Sequence, residues 1–296
     1  MIKKFLAVLF GLVLGYMLID DFNPETVKGK NVFITGASTG IGEQLAYHYA
    51  KLGANIVITA RRERRLKEVI EKCRELGNKE QTYDYIVADM LDLNSTGNVI
   101  QTVVNKLGGR LDYLVLNHII LLDLGVWTGS QHNLSLIDKV INVNFQSYVY
   151  LASHSLPHLE ESKGSIVVVS SFAGKFGQPF VSIYSASKFA LDGFFGGLRQ
   201  ELKLRNCDIS ITVCVLGFIG TENAISQLES YKQNLLLKLV TAASPSDTAL
   251  QIIRGGAKRV RQIYYPMMQV FPLVMLRDLF PEMCDTINRF VYTLNS

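Results

Sequence analysis

Cysteine is scarce in this chain: Cys73, Cys207, Cys214 and Cys284 lie far apart and none belongs to a CxxC pair. That spacing excludes a disulfide scaffold and a cysteine-rich zinc module, and leaves open a single disulfide. His48, His132, His154 and His158 also lack metal-ligand spacing, so no metal centre is expected. An excess of either charge is missing as well. The 30 Lys and Arg against 26 Asp and Glu give a net +4, dispersed along the chain, and no nucleic-acid partner is expected. Only 7 of 296 residues are proline, and neither a low-complexity tract nor a solenoid-period repeat occurs, which removes disordered, collagen-like and repeat architectures. With 48% hydrophobic and 19% charged residues, what remains is a globular chain with ample core material.

A long apolar run is absent too. Lys3 and Lys4 precede an apolar stretch of 15 residues over 5–19, closed by Asp20 and Asp21. As a helix that stretch rises about 22 Å, short of the roughly 30 Å hydrocarbon core of a bilayer. Its layout is that of a secretory signal, so residues 1–19 are expected to be either a cleaved signal peptide or a signal anchor. The body is then secreted or held in the endoplasmic reticulum lumen, with a single-pass membrane anchor and a lumenal domain as the alternative. Sequons at Asn94 and Asn133 agree with a lumenal glycoprotein.

After a linker at 20–30, β-branched runs at 31–35, 55–59, 85–88, 113–117, 165–170, 209–215 and 262–265 alternate with amphipathic stretches at 43–52, 64–76, 95–106, 136–158 and 185–205. Period-two runs separated by period-3.6 segments predict strand-helix-strand units. The expected fold is α/β, a doubly wound parallel sheet of about seven strands in one domain over 31–266. Beyond it, Pro272 and Pro281 interrupt an apolar segment, and 267–296 reads as a short helical tail that needs a partner surface. A second copy of the chain, giving a homodimer, is the expected partner, with a membrane face as the alternative.

Directly behind the first strand stands Thr35-Gly36-Ala37-Ser38-Thr39-Gly40-Ile41-Gly42, followed by a helix. Glycines there permit a tight turn and close backbone approach, so a pyrophosphate can sit on the free amides and positive end of that helix. The second strand ends in Arg61 and Arg62, where an NAD-binding chain would place a carboxylate for the ribose 2′-hydroxyl. Two guanidiniums suit a 2′-phosphate instead, and the expected cofactor is NADP(H). Further on, Tyr184 and Lys188 sit one helical turn apart, and Ser171 ends the preceding strand. An ammonium on the same helix face favours the phenolate, and the serine hydroxyl can bind the substrate oxygen while the tyrosine exchanges its proton.

These motifs together resemble the short-chain dehydrogenase/reductase family, from about Gly29 to Pro266. The resemblance implies a Rossmann-like fold and Asn144 as a fourth catalytic residue, holding a water that relays protons toward the lysine. It implies that Asp89 and Met90 flank the adenine and that Asn117, His118 and Ile119 lie along the cofactor. It places Ile219, Gly220, Thr221, Glu222 and Asn223 over the nicotinamide. Thr39 departs from the basic residue of many NADP-dependent members, and His118-Ile119 and Leu216 depart from the usual Asn-Ala-Gly and Pro-Gly. The segments Asn117-His118-Ile119, Tyr184 through Phe195 and Cys214-Val215-Leu216-Gly217 resemble the 11β-hydroxysteroid dehydrogenase branch, which implies an 11β-hydroxy or 11-keto steroid as substrate. A retinoid, a fatty aldehyde or another lipophilic carbonyl is the alternative, and a non-catalytic lipid-binding protein is the competing class. The apolar stretch at 218–244 and the lone Trp127 are candidates for the wall of such a pocket.

Overall fold

The computed structural model describes residues 22–120, 125–230 and 240–292. The expected signal segment at 1–19 lies outside the described residues, as do Leu235, Leu236, Leu237 and Leu239 of the expected pocket stretch. Seven strands form one parallel sheet in the order β3-β2-β1-β4-β5-β6-β7. They are β1 (Asn31–Thr35), β2 (Asn55–Ala60), β3 (Tyr83–Val87), β4 (Tyr113–Leu116), β5 (Ser165–Val169), β6 (Ser210–Leu216) and β7 (Gln262–Tyr265). Between them run α1 (Gly40–Lys51), α2 (Glu63–Leu76), α3 (Thr96–Lys106), α4 (Gln131–Ile141), α5 (Ser147–Ser162) and α6 (Ser182–Leu204). After β6 come α7 (Glu222–Ser230) and α8 (Pro245–Ala257), and after β7 come α9 (Met267–Leu276) and α10 (Pro281–Val291).

Parallel strands need crossovers, and helices on both faces bury the central strands; β1, β4 and β5 are buried at every residue, whereas the edge strands β3 and β7 are mostly half-buried. Alternate side chains feed two cores. Val32 and Ile34 join Leu45, Tyr49, Leu66 and Ile252 on the α1, α2 and α8 side, whereas Phe33 joins Ile100, Tyr148, Leu151 and Phe195 on the α3, α5 and α6 side. The strand order turns between β1 and β4, and at such a switch point the carboxyl ends of neighbouring strands diverge and leave a crevice.

One expected helix is built differently. Instead of one regular helix over 136–158, α4 leads through a π-helical turn at Asn142–Gln146 into α5. Extra acceptor capacity is used there: the Val143 carbonyl accepts from the Ser147 hydroxyl at 2.7 Å and faces the His118 Nε2 at 3.1 Å. A π-turn of this kind breaks the regular ladder and commonly marks a functional position. The tail is also not a separate appendage, because Val270 and Val274 of α9 enter the core. Its remaining apolar surface is large, with Met268, Leu279 and Phe290 each more than two-thirds exposed at 77%, 71% and 69%. Among the described residues no helix is long and apolar enough to cross a membrane, and the four cysteines are free.

Candidate active site

The glycine turn after β1 is shaped by close approach. Gly36 adopts a φ of +66°, and a Cβ there would stand 2.6 Å from the His118 Cα; a Cβ on Gly42 would stand 2.3 Å from the Gly36 carbonyl oxygen. Only glycine fits both places. Asn117, at the end of β4, donates through Nδ2 to the carbonyls of Thr35 and Gly36, each at 3.1 Å, and so fixes the turn from the neighbouring strand. Helix α1 starts behind Thr39, whose side chain makes no capping hydrogen bond, so the amides of its first turn and its dipole stay available to an anion.

Arg62 closes the rim of this cleft, donating from Nη2 to the Ser38 hydroxyl at 3.0 Å and to the Thr39 hydroxyl at 3.1 Å. The guanidinium thus occupies the corner where the sequence alone leaves Thr39 without a basic residue. Arg61 lines the same cleft and is exposed. The cleft holds about 870 Å³ and is lined by Ser38, Thr39, Gly40, Ile41, Arg61, Arg62, Asp89, Met90, Asn117, Ile119 and the stretch from Ile219 to Asn223. Within it the Asp89 carboxylate accepts from the Leu91 amide at 3.1 Å, which orients the turn after β3, and Met90 is buried.

His118 borders the cleft between Asn117 and Ile119. Its ring turns inward and is buried, with Nδ1 2.8 Å from the Thr35 hydroxyl and Nε2 2.6 Å from the Ser147 hydroxyl. Both ring nitrogens are thus engaged by interior partners.

Ser171 follows β5 and caps a short 3₁₀ turn, its oxygen accepting from the Ala173 amide at 3.1 Å. With that lone pair used, the hydroxyl proton is turned toward Tyr184 and the cleft. Tyr184 and Lys188 lie one turn apart on α6, as the spacing predicts. Lys188 is buried, donates to the Val169 carbonyl at 3.0 Å, and stands over the rings of Tyr148 at 5.3 Å and Tyr184 at 5.8 Å from the centroids. Burial pushes its pKa down to about 7. Burial likewise raises the Tyr184 phenol, while a hydrogen bond with Ser171 works the other way. The lowering of the phenol that the Tyr184 to Lys188 spacing predicts is thus opposed here by desolvation. Asn144, fully buried in the π-turn, accepts from the Ile120 amide at 2.8 Å and has its Nδ2 3.5 Å from the Ile120 carbonyl. Its side chain is engaged in holding the strand exit beside the cleft.

A second cavity of about 770 Å³ opens against the first. Both are lined by Ser171, Tyr184, Leu216, Gly217, Phe218 and Ala224. The walls of the second are largely apolar: Val126, Trp127, Leu136, Phe172, Phe176, Phe180, Leu228, Val270 and Ile287, with Cys284 and Tyr292 from the tail. Trp127 and the described part of the apolar stretch after β6 stand where the sequence places a pocket wall. The contribution of α10 was not readable, since nothing in the apolar tail says which surface it covers. Tyr292 donates to the Gln178 side-chain oxygen at 2.9 Å, and Asn288 donates to the Gly177 carbonyl at 3.0 Å, so the tail closes over its own chamber. Tyr148 also escaped sequence reading, although it lies one turn beyond Asn144. Of the two sequons, Asn94 is exposed, whereas the Asn133 side-chain oxygen accepts from the Thr128 amide and hydroxyl and its residue lines the chamber.

A parallel α/β sheet with an amide-lined cleft at its switch point and a Ser-Tyr-Lys group beside it defines a nucleotide-dependent oxidoreductase fold. The chain belongs to the short chain dehydrogenase family, whose profile matches residues 30–232. It is 44% identical over 296 residues to a hydroxysteroid 11-beta-dehydrogenase 1-like protein of Xenopus tropicalis, covering 100% of this chain and 99% of the relative. With a protein of the same name from Danio rerio it shares 48% identity over 276 residues, 93% of this chain and 91% of the relative. Among solved structures, a short chain dehydrogenase of Burkholderia cenocepacia J2315 in complex with NADP superposes with a TM-score of 0.68 at 25% identity, covering 81% of this chain and 97% of the other.

Proposed function

We propose that this protein is an NADP(H)-dependent oxidoreductase that interconverts a hydroxyl and a ketone on a steroid, of the 11β-hydroxy or 11-keto type. One observation carries this reading: the polar cleft and the apolar chamber meet at Ser171 and Tyr184, so a reacting carbon in the chamber would face the cofactor cleft across the two hydroxyls. The residues present fit the cofactor. Gly36 and Gly42 leave no room for a side chain, the first turn of α1 is uncapped, and Arg62 stands at the corner suited to a 2′-phosphate. When bound, NADP(H) supplies or accepts the hydride.

The protein's own groups do the rest. Ser171, whose oxygen is already held by the Ala173 amide, hydrogen-bonds the substrate oxygen through its hydroxyl and stabilises the charge that develops there. Tyr184 exchanges a proton with that same oxygen. Lys188, held by the Val169 carbonyl over the Tyr184 ring, favours the ionised phenol whenever it carries its charge, and Asn144 fixes the neighbouring backbone at Ile120. The aromatic and aliphatic walls exclude water and suit a rigid, apolar substrate. The relatives' names agree with a steroid, and the solved neighbour's NADP agrees with the cofactor.

The reading also carries a location and a partner. The basic and apolar opening of the sequence supports the secretory pathway, and the exposed apolar face of α9 and α10 supports a homodimer. The test is turnover of cortisol with NADP and of cortisone with NADPH by the purified full chain, with NAD(H) alongside. Conversion with the phosphorylated cofactor alone supports the whole reading. Conversion only of retinal or a fatty aldehyde would move the substrate to another lipophilic carbonyl, and cofactor binding without any turnover would sink the catalytic reading.

A further inference from the structure

His118 is a buried titratable group that the chemistry above does not use. It stands at a junction of four elements. Its Nδ1 meets the Thr35 hydroxyl at the end of β1, and its Nε2 meets the Ser147 hydroxyl and the Val143 carbonyl in the π-turn. Its ring packs on Tyr148 of α5 with centroids 4.5 Å apart, and the Tyr148 hydroxyl donates to its carbonyl at 2.6 Å. The Lys188 ammonium of α6 also stands over that tyrosine ring, 5.3 Å from its centroid. Without the imidazole the Thr35 hydroxyl would keep the Val115 carbonyl and the Ser147 hydroxyl the Val143 carbonyl, but the group that bridges β1 to the π-turn would be gone from a buried polar network.

We propose that His118 is a positioning residue, which holds the π-turn bearing Asn144 and the tyrosine ring beneath Lys188 in the geometry the reaction needs. The inference rests on the oxidoreductase reading for its catalytic part. The side of the ring that matters is Nε2. Its two partners, Val143 and Ser147, flank Asn144 in the chain, so the imidazole clamps the turn from one side while Asn144 clamps Ile120 from the other. The Val143 carbonyl is met by two side chains, Ser147 from the next turn and His118 from the segment that follows β4. The Nδ1 side serves only to orient the ring against β1.

Three substitutions in the full chain separate positioning from packing. In His118→Gln the amide reaches where Nε2 stood; in His118→Asn it reaches only the Nδ1 place; His118→Ala removes both. The expected result is a kcat about 10- to 100-fold lower in His118→Ala and His118→Asn, with KM for NADPH changed less than about twofold, and recovery to within about fivefold of the unaltered chain in His118→Gln. A readout that needs no substrate accompanies it: amide exchange across residues 142–147 accelerates by about tenfold or more in the Ala and Asn variants and stays protected in Gln. Where His118→Ala does not fold, Ser147→Ala removes one partner of Nε2 and is expected to show the same exchange and the same fall in kcat. Unchanged kcat in His118→Ala, a Gln variant as impaired as Ala, or unaltered exchange across the turn would each overturn the proposal. Absence of turnover by the unaltered chain counts against the oxidoreductase reading instead, and the exchange pattern still decides whether His118 holds the turn.

Discussion

Arg62 bonds back to Ser38: its Nη2 donates to that hydroxyl at 3.0 Å, tying the end of β2 to the turn that follows β1. The arginine is therefore already in place at the rim of the cleft, at the cost of weak neutral partners that a phosphate would readily replace. Arg62→Ala is expected to raise KM for NADPH by about 10- to 100-fold, the worth of one or two charge-assisted hydrogen bonds, and to leave KM for NADH nearly unchanged. Arg61→Ala, whose guanidinium makes no such contact with the turn, is expected to have a smaller effect. Steady-state kinetics with both nucleotides check this, and equal losses for NADPH and NADH would remove the 2′-phosphate assignment.

Tyr184→Phe deletes the one phenol that, among the described residues, lines both cavities. The variant is expected to lose kcat by about 10²- to 10⁴-fold, the usual contribution of a positioned acid or base, while nucleotide binding persists. Fluorescence titration with NADPH beside turnover measures both. Retained turnover would show that another group carries the proton.

Gly42→Ala places a methyl 2.3 Å from the Gly36 carbonyl oxygen and 2.6 Å from the Asn117 amide nitrogen, and neither neighbour is the free end of a flexible chain. The turn must open to admit it, at a cost of about 1–3 kcal/mol. Thermal unfolding is expected to fall, and the upward shift that NADPH gives the unaltered chain is expected to disappear. A variant with normal cofactor-induced stabilisation would show that the turn is not the phosphate cradle.

Burial, with the Lys188 charge as a lesser cause, pushes the His118 imidazole down to about 3. Around its ring stand Lys188 from α6, Tyr148 from α5, the Val143 carbonyl and the hydroxyls of Thr35 and Ser147, and among the described residues no carboxylate bonds to it to favour its cation. In the unfolded chain the same histidine titrates near 6.5, so between the two values the unfolded state binds the extra proton. Stability is therefore expected to fall as pH drops from about 6.5 toward 3, with a slope of up to about 1.4 kcal/mol per pH unit from this group. Denaturant unfolding at several pH values checks the sign, and His118→Gln should show a correspondingly shallower slope. Identical slopes would mean that the imidazole is not held neutral.

Lys188 behaves in the same sense at higher pH. With a pKa pushed down to about 7, it is charged below that value and neutral above it. Reduction of a ketone, which draws on that charge, is expected to show kcat/KM falling as pH rises through about 7. A profile flat from pH 6 to 9 would place the lysine outside the rate-determining chemistry.

Much of this was legible in the chain itself. The alternation of β-branched runs with amphipathic stretches set the seven parallel strands and their order of appearance, since buried parallel strands require continuous apolar runs and crossovers require helices. Gly36, Gly40 and Gly42 marked the nucleotide turn because a close backbone approach admits nothing larger, and Tyr184 with Lys188 showed a shared helix face through spacing alone. These are local signals, carried by residues within a turn or two of one another.

What the tertiary structure alone decided is non-local. Thr35, His118, Val143 and Ser147 meet although 112 positions separate the first from the last, because parallel β1 and β4 lie side by side and α5 packs across them. The same closure brings Tyr292 to Gln178 and makes the tail a wall of the chamber, although its composition suggested only a second copy of the chain or a membrane face. Burial then set the proton affinities of Lys188 and His118, because desolvation depends on everything packed around a group and on none of its sequence neighbours in particular. Sequence determined which chemical groups exist and on which element each rides; only folding determined which of them share a dry space.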